Sequence, residues 1–264
     1  MDNQPTPTED IVSEEYSVSY DDKQLYGKIT APSDYKSKKL PTIVIAHGLN
    51  NTLEQYEMYS QLLAKQGYLV YSLDFYGGSH QSKSGGQDML NMSVKTELTD
   101  LTQVMEKLRS ETFVDKSRMS LFGASQGGVV ASLYAAAYPD RVHKLLLIFP
   151  AFVLFDDAKE TYRELGSPDF DQLPDSLTHH NTTLGKIYLI DALDIDIQAE
   201  QTKITAPTLI IHGTDDAVVP YQYAVEASQT IPNAELVTVE GGEHRIDERF
   251  AITAAPAIQK FLKE

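Results

Sequence analysis

Cysteine is absent from the 264-residue chain. That removes disulfides, thiolate metal sites and a cysteine nucleophile together. It leaves the redox compartment open, because a chain without cysteine tolerates either state. Basic residues are few: 22 Lys and Arg stand against 38 Asp and Glu, for a formal net charge of −16. Nucleic acid and anionic membrane surfaces both select for basic patches, so neither is expected as a partner. No run approaches the roughly 18 apolar residues that a membrane span needs. The opening "MDNQPTPTED" has no basic segment followed by an apolar one and does not read as a signal peptide. Together these absences lead to the expectation of a soluble, cytoplasmic protein.

What is present is an alternation. Residues 1–12 read as a loose arm, and "EYSVSY" and "KQLYGKIT" as an antiparallel hairpin. Short β-branched or apolar runs follow at "TIVIAHG", "YLVYSLD", "RMSLFG", "KLLLIFP", "APTLIIHG" and "AELVTVEG". Between them lie helical patterns. In "SVKTELTDLTQVMEKLR", Val94, Leu98, Leu101, Val104, Met105 and Leu108 share one face. "LEQYEMYSQLLAKQG" and "QGGVVASLYAAAYP" are two more helices, and "AITAAPAIQKFLKE" closes the chain as a helix that Pro256 kinks or starts. Strands separated by helices predict an α/β fold with a mostly parallel sheet covered on both faces. The rhythm breaks over 151–203, a polar, aromatic and irregular stretch that reads as a lid insertion within a single domain spanning 1–264.

One motif points to chemistry. Gly123-Ala124-Ser125-Gln126-Gly127 fits G-x-S-x-G between a strand and a helix. A bend that sharp strains the backbone at the serine, and large side chains two residues away would collide where strand and helix meet. In return it exposes Oγ beside the first free amides of a helix. A serine needs a base, and on such a scaffold the order is Ser, then an acid, then His. Asp216 in "IHGTDDAVVP" follows a strand and a Gly turn, with Asp215 as its competitor. Of seven histidines only His244, in "EGGEHRI", comes after Asp216. The backbone amides of Leu49, in "AHGLN", and Gln126 are the candidate oxyanion donors. His47 reads as a structural support for that loop. "THH" at 178–180 near Asp175 hints at a metal, but with no third well-placed ligand none is expected.

The segments "HGLN", "DFYGGSHQS", "GASQGG", "HGTDDAVVP" and "GGEHRI", in this order, resemble the landmarks of the α/β-hydrolase superfamily over roughly residues 20–262. In that family the acid stands three residues after the Gly of G-x-x-D-x-x-V-P, which favours Asp216. The finer resemblance is to bacterial cinnamoyl and feruloyl esterases, whose insertion after the strand ending near Pro150 caps the acyl pocket. Ser79 departs from that pattern, standing where a second Gly is frequent, and Ala124 stands where His is frequent. The resemblance implies a serine carboxylesterase acting through an acyl-enzyme on small aromatic or short acyl esters. It implies a small-molecule ester as partner and no cofactor, and it allows a homodimer. Tyr162, His179, His180 and Tyr188 are candidate lid contacts. The rivals are a monoacylglycerol lipase, a serine peptidase of the same fold, and a non-catalytic binding protein on a hydrolase scaffold.

Overall fold

The computed structural model describes residues 4–85 and 89–264. The chain runs β1 (Ile11–Glu15), β2 (Val18–Tyr20), β3 (Lys23–Leu25), β4 (Gly27–Pro32), β5 (Leu40–Ala46), α1 (Glu57–Lys65), β6 (Leu69–Leu73), α2 (Val94–Arg109), β7 (Val114–Ala124), α3 (Gln126–Ala137), β8 (Leu145–Ile148), α4 (Leu154–Glu164), β9 (Ser176–His179), β10 (Thr182–Gly185), α5 (Lys186–Leu193), α6 (Ile197–Gln201), β11 (Thr208–Gly213), α7 (Gln222–Thr230), β12 (Ala234–Val239) and α8 (Glu248–Lys263). Among the described residues eight strands form one sheet in the order β1-β4-β6-β5-β7-β8-β11-β12. The pairs from β6 to β12 are parallel, and β1 and β4 join antiparallel at one edge.

Side chains on a strand alternate between the two faces of a sheet, and β5 shows the consequence. Val44 and Ala46 join the core beneath α2 and α3, while Ile43 and Ile45 join the core beneath α1 and α8. The strand is apolar along its whole length because both faces are covered. Burying each of Ile43, Val44 and Ile45 contributes about 1.5–3 kcal/mol. Helix α2 starts at Ser93, whose hydroxyl accepts from the amides of Lys95 and Thr96, a cap worth about 1 kcal/mol. Its expected apolar face is buried at Leu101, Val104, Met105 and Leu108. The final helix begins at the Asp247 cap, and Pro256 lies inside it rather than starting it.

Three local expectations are corrected. The first three residues of the expected loose arm lie outside the described residues. The rest of it is fastened: the Thr8 amide donates to the Lys65 carbonyl at 2.8 Å, Glu9 pairs with Lys65, and Ile11 and Val12 belong to β1. The expected hairpin partners split, so that β2 pairs with β3 and β4 enters the main sheet. The stretch 151–203 is not irregular: it holds α4, the β9–β10 hairpin, α5 and α6. Helix α7, between β11 and β12, follows from no sequence pattern noted above.

Candidate active site

Strand β7 ends at Ala124 and α3 begins at Gln126, so the whole reversal falls on Ser125. Its φ of 52° and ψ of −123° lie where a side chain is rarely accommodated, at a cost of about 1–3 kcal/mol. Neighbouring hydrogen bonds hold it there. The Ser125 amide donates to the Ile148 carbonyl at 2.9 Å, and its own carbonyl accepts from Gly128 and Ala151, each at 3.0 Å. The glycines are steric necessities. A Cβ on Gly123 would lie 2.4 Å from the Gly127 carbonyl oxygen, and one on Gly127 would lie 2.1 Å from that of Ala46.

Three side chains from separate loops converge here. Nε2 of His244 lies 3.0 Å from Oγ of Ser125, and its Nδ1 lies 2.7 Å from Oδ2 of Asp216. Asp216 is buried, whereas Asp215 is exposed and its carboxylate accepts from the Thr214 hydroxyl. Asp216 sits in a cradle of donors: the amides of Val218 and Val219 reach Oδ1 at 2.9 and 2.7 Å, and His212 Nε2 lies 3.2 Å from Oδ2. Burial alone would raise this carboxyl. The hydrogen bonds from His212, His244 and Val219 outweigh it and hold the group well below the ordinary carboxylate range, so it stays ionised. The Phe149 ring packs on the His244 imidazole with centroids 4.4 Å apart.

The loop after β5 lies against the serine, close enough that a Cβ on Gly48 would sit 3.0 Å from the Ser125 Cβ. Leu49 and Gln126 line the same small pocket as Ser125. His47 fixes that loop. With Nδ1 at 2.7 Å from the Gly48 carbonyl and Nε2 accepting from the Phe75 amide at 2.9 Å, it is a neutral imidazole, and burial lowers its pKa further. Ser79, the departure noted above, is buried and donates to Asn50 Oδ1 at 3.3 Å.

The Gln126 side chain bridges two elements. Its Nε2 donates to Glu97 on α2 at 2.9 Å, and its Oε1 accepts from the Tyr188 hydroxyl on α5 at 2.7 Å. Glu97 is fully enclosed, and burial pushes its carboxyl up to about 8, so it is mostly protonated at neutral pH.

Of the four lid candidates, His179, His180 and Tyr188 line the Ser125 pocket. Tyr162 does not: its hydroxyl donates to the Pro168 carbonyl at 2.7 Å and its ring packs on Phe170. Asp175 is turned to Lys186, 3.1 Å away. The carboxylate that approaches the two histidines is instead Asp157 on α4. Sequence reasoning missed Asp157 and His212. His212 had a signal, since it stands four residues before Asp216; Asp157 had none, since only the fold brings α4 to the hairpin.

The chain is similar to known proteins in sequence and in fold. A family model described as serine aminopeptidase, S33, matches residues 37–166, and one described as TAP-like protein matches residues 193–264. The structure of Est1E from Butyrivibrio proteoclasticus with ferulic acid bound superposes with a TM-score of 0.81 at 26% identity, covering 94% of this chain and 100% of that one. The chain has the α/β-hydrolase fold. The chain is also similar to the AB hydrolase superfamily protein YisY of Bacillus subtilis, at 27% identity over 76% of this chain and 84% of that protein. Human monoacylglycerol lipase ABHD6 is 23% identical over 78% of this chain and 70% of its own length. The expected fold is found, and a similar structure holds ferulic acid.

Proposed function

We propose that the protein is a serine carboxylic-ester hydrolase in which Ser125, His244 and Asp216 form the catalytic triad. The single observation that carries this is the unbroken chain of hydrogen-bonding contacts from Ser125 Oγ through His244 to a buried, ionised Asp216. His244 takes the proton from Ser125 as Oγ attacks the ester carbonyl, and Asp216 holds the tautomer and stabilises the imidazolium. The Leu49 and Gln126 amides receive the oxyanion. His244 then protonates the leaving alcohol, and water repeats the attack on the acyl-enzyme.

In this reading residues 151–203 act as the lid of one hydrolase domain. The pocket at Ser125 encloses only about 30 Å³, room for a water molecule, whereas ligand sites span about 300–1,000 Å³. The wall formed by the insertion therefore has to draw back for an acyl group to enter. Its lining mixes apolar Leu154 and Val153 with polar Asp157, His179 and Tyr188, which suits a substituted aromatic acyl group better than a long aliphatic one. The likeness to a structure holding ferulic acid supports the same class. A monoacylglycerol lipase is the second reading, favoured by relatives of that name.

The test is a substrate panel of short p-nitrophenyl esters, methyl ferulate, a monoacylglycerol and a peptide p-nitroanilide, run with the wild type and Ser125→Ala. Turnover that depends on Ser125, with methyl ferulate among the best substrates, is expected. Preference for the glycerol ester or the anilide would leave the triad standing and overturn the substrate class.

A further inference from the structure

We propose that Asp157, His179 and His180 form a binding site for a divalent transition-metal ion, of which Zn²⁺ is the type, on the wall of the pocket that reaches Ser125. The donors come from two elements, helix α4 and the tip of the β9–β10 hairpin. Consecutive residues on a strand send their side chains to opposite faces, so "HH" alone predicts divergent imidazoles. The hairpin reverses through His180 and Asn181, with φ of 45° and 60°. That two-residue left-handed turn swings His180 back beside His179, with ring centroids 4.2 Å apart. One donor atom from each histidine and one from Asp157 then lie within 4.8 Å of one another. Two tetrahedral ligands each about 2.0–2.2 Å from one ion stand about 3.3–3.6 Å apart, so donors up to 4.8 Å apart have to close by up to about 1.5 Å. Closing that difference is a matter of side-chain rotation in this proposal.

The donors are also unspent. Among the described residues neither imidazole nor the Asp157 carboxylate makes a hydrogen bond or ion pair within the protein. His179 and Asp157 are half-buried and His180 is exposed. Two imidazoles and a carboxylate select a borderline ion such as Zn²⁺ over Ca²⁺ or Mg²⁺. Three protein ligands leave a coordination position for water or a further ligand.

An ion held there ties the hairpin to α4 in the closed arrangement and opposes the opening that substrate entry requires. Metal binding stands independently of the proposed esterase activity; the effect on turnover rests on that reading. The experiment is calorimetric titration of untagged, chelator-treated protein with Zn²⁺, alongside ester turnover with and without Zn²⁺. The variants are His180→Asn, which keeps a residue that tolerates the left-handed turn, and Asp157→Asn. Their melting temperatures without metal establish that they fold. Outer-shell changes alone weaken metal sites about 10-fold to 100-fold, so loss of a ligand should weaken binding by at least about tenfold. The expected result is one Zn²⁺ per chain, weakened to that degree in each variant, with turnover inhibited by Zn²⁺ in the wild type and relieved in the variants. No saturable binding, or equal binding by the wild type and both variants, would overturn the site. Binding as expected without inhibition would overturn only the closing effect.

Discussion

Asp216 and Asp215 are adjacent in sequence, yet their environments separate them. One is buried under four donors and ionised; the other faces solvent. Asp216→Asn should therefore slow ester turnover by about 10⁴, the loss seen when a triad acid no longer selects the His tautomer, while Asp215→Asn should stay close to wild type. Steady-state rates of the two variants check this, and a larger loss in Asp215→Asn would contradict it. Glu97 gives a second outcome, at the level of stability. Its native pKa of about 8 stands above the ordinary value of 4.5. Between these values the folded state holds a proton that the unfolded state has released, so stability declines as pH rises. The slope reaches about 1.4 kcal/mol per pH unit. Glu97→Gln carries no such proton, and its melting temperature should fall less than that of the wild type between pH 5 and 9. Parallel curves would mean Glu97 is ionised in the native state. Ser125, Asp216 and His244 were legible in the sequence because each stands just past a strand, in an order that a hydrolase scaffold imposes. The proton on Glu97 was not, because it depends on burial and not on residue type.

At the scale of elements, the strands and helices of the sheet follow from their periodicity, since one segment and its burial suffice to specify each. The region 151–203 resisted that reading because its elements are short and its faces are divided between the pocket, the core and solvent. The link from Tyr188 on α5 to Gln126 at the start of α3 shows what such a mixture achieves. It fastens the insertion to the residue whose amide is a proposed oxyanion donor. Tyr188→Phe leaves the buried Gln126 Oε1 without that partner, which should cost about 1–3 kcal/mol of stability. Urea denaturation would show it as a lower midpoint at an unchanged slope. An unchanged midpoint would mean that the bond contributes nothing in the folded chain.

For the whole molecule, the parallel sheet sets where chemistry can gather. Ser125, Asp216 and His244 lie on loops past the carboxyl ends of β7, β11 and β12, the edge at which ligands bind in open α/β sheets. The proposed lid, 151–203, leaves from the next such end, past β8. The parallel sheet was readable from the alternation of elements. How far the insertion closes was not, because pocket volume depends on side-chain packing across four elements. The central claim is that Ser125 is a nucleophile activated by His244, and active-site labelling tests it most directly. The wild type, Ser125→Ala and His244→Ala would each be treated with a fluorophosphonate and the modified peptide located by mass spectrometry. A single adduct on Ser125, absent from Ser125→Ala and much slower to form in His244→Ala, is predicted. An unlabelled Ser125 in the wild type, or equal labelling rates with and without His244, would contradict it.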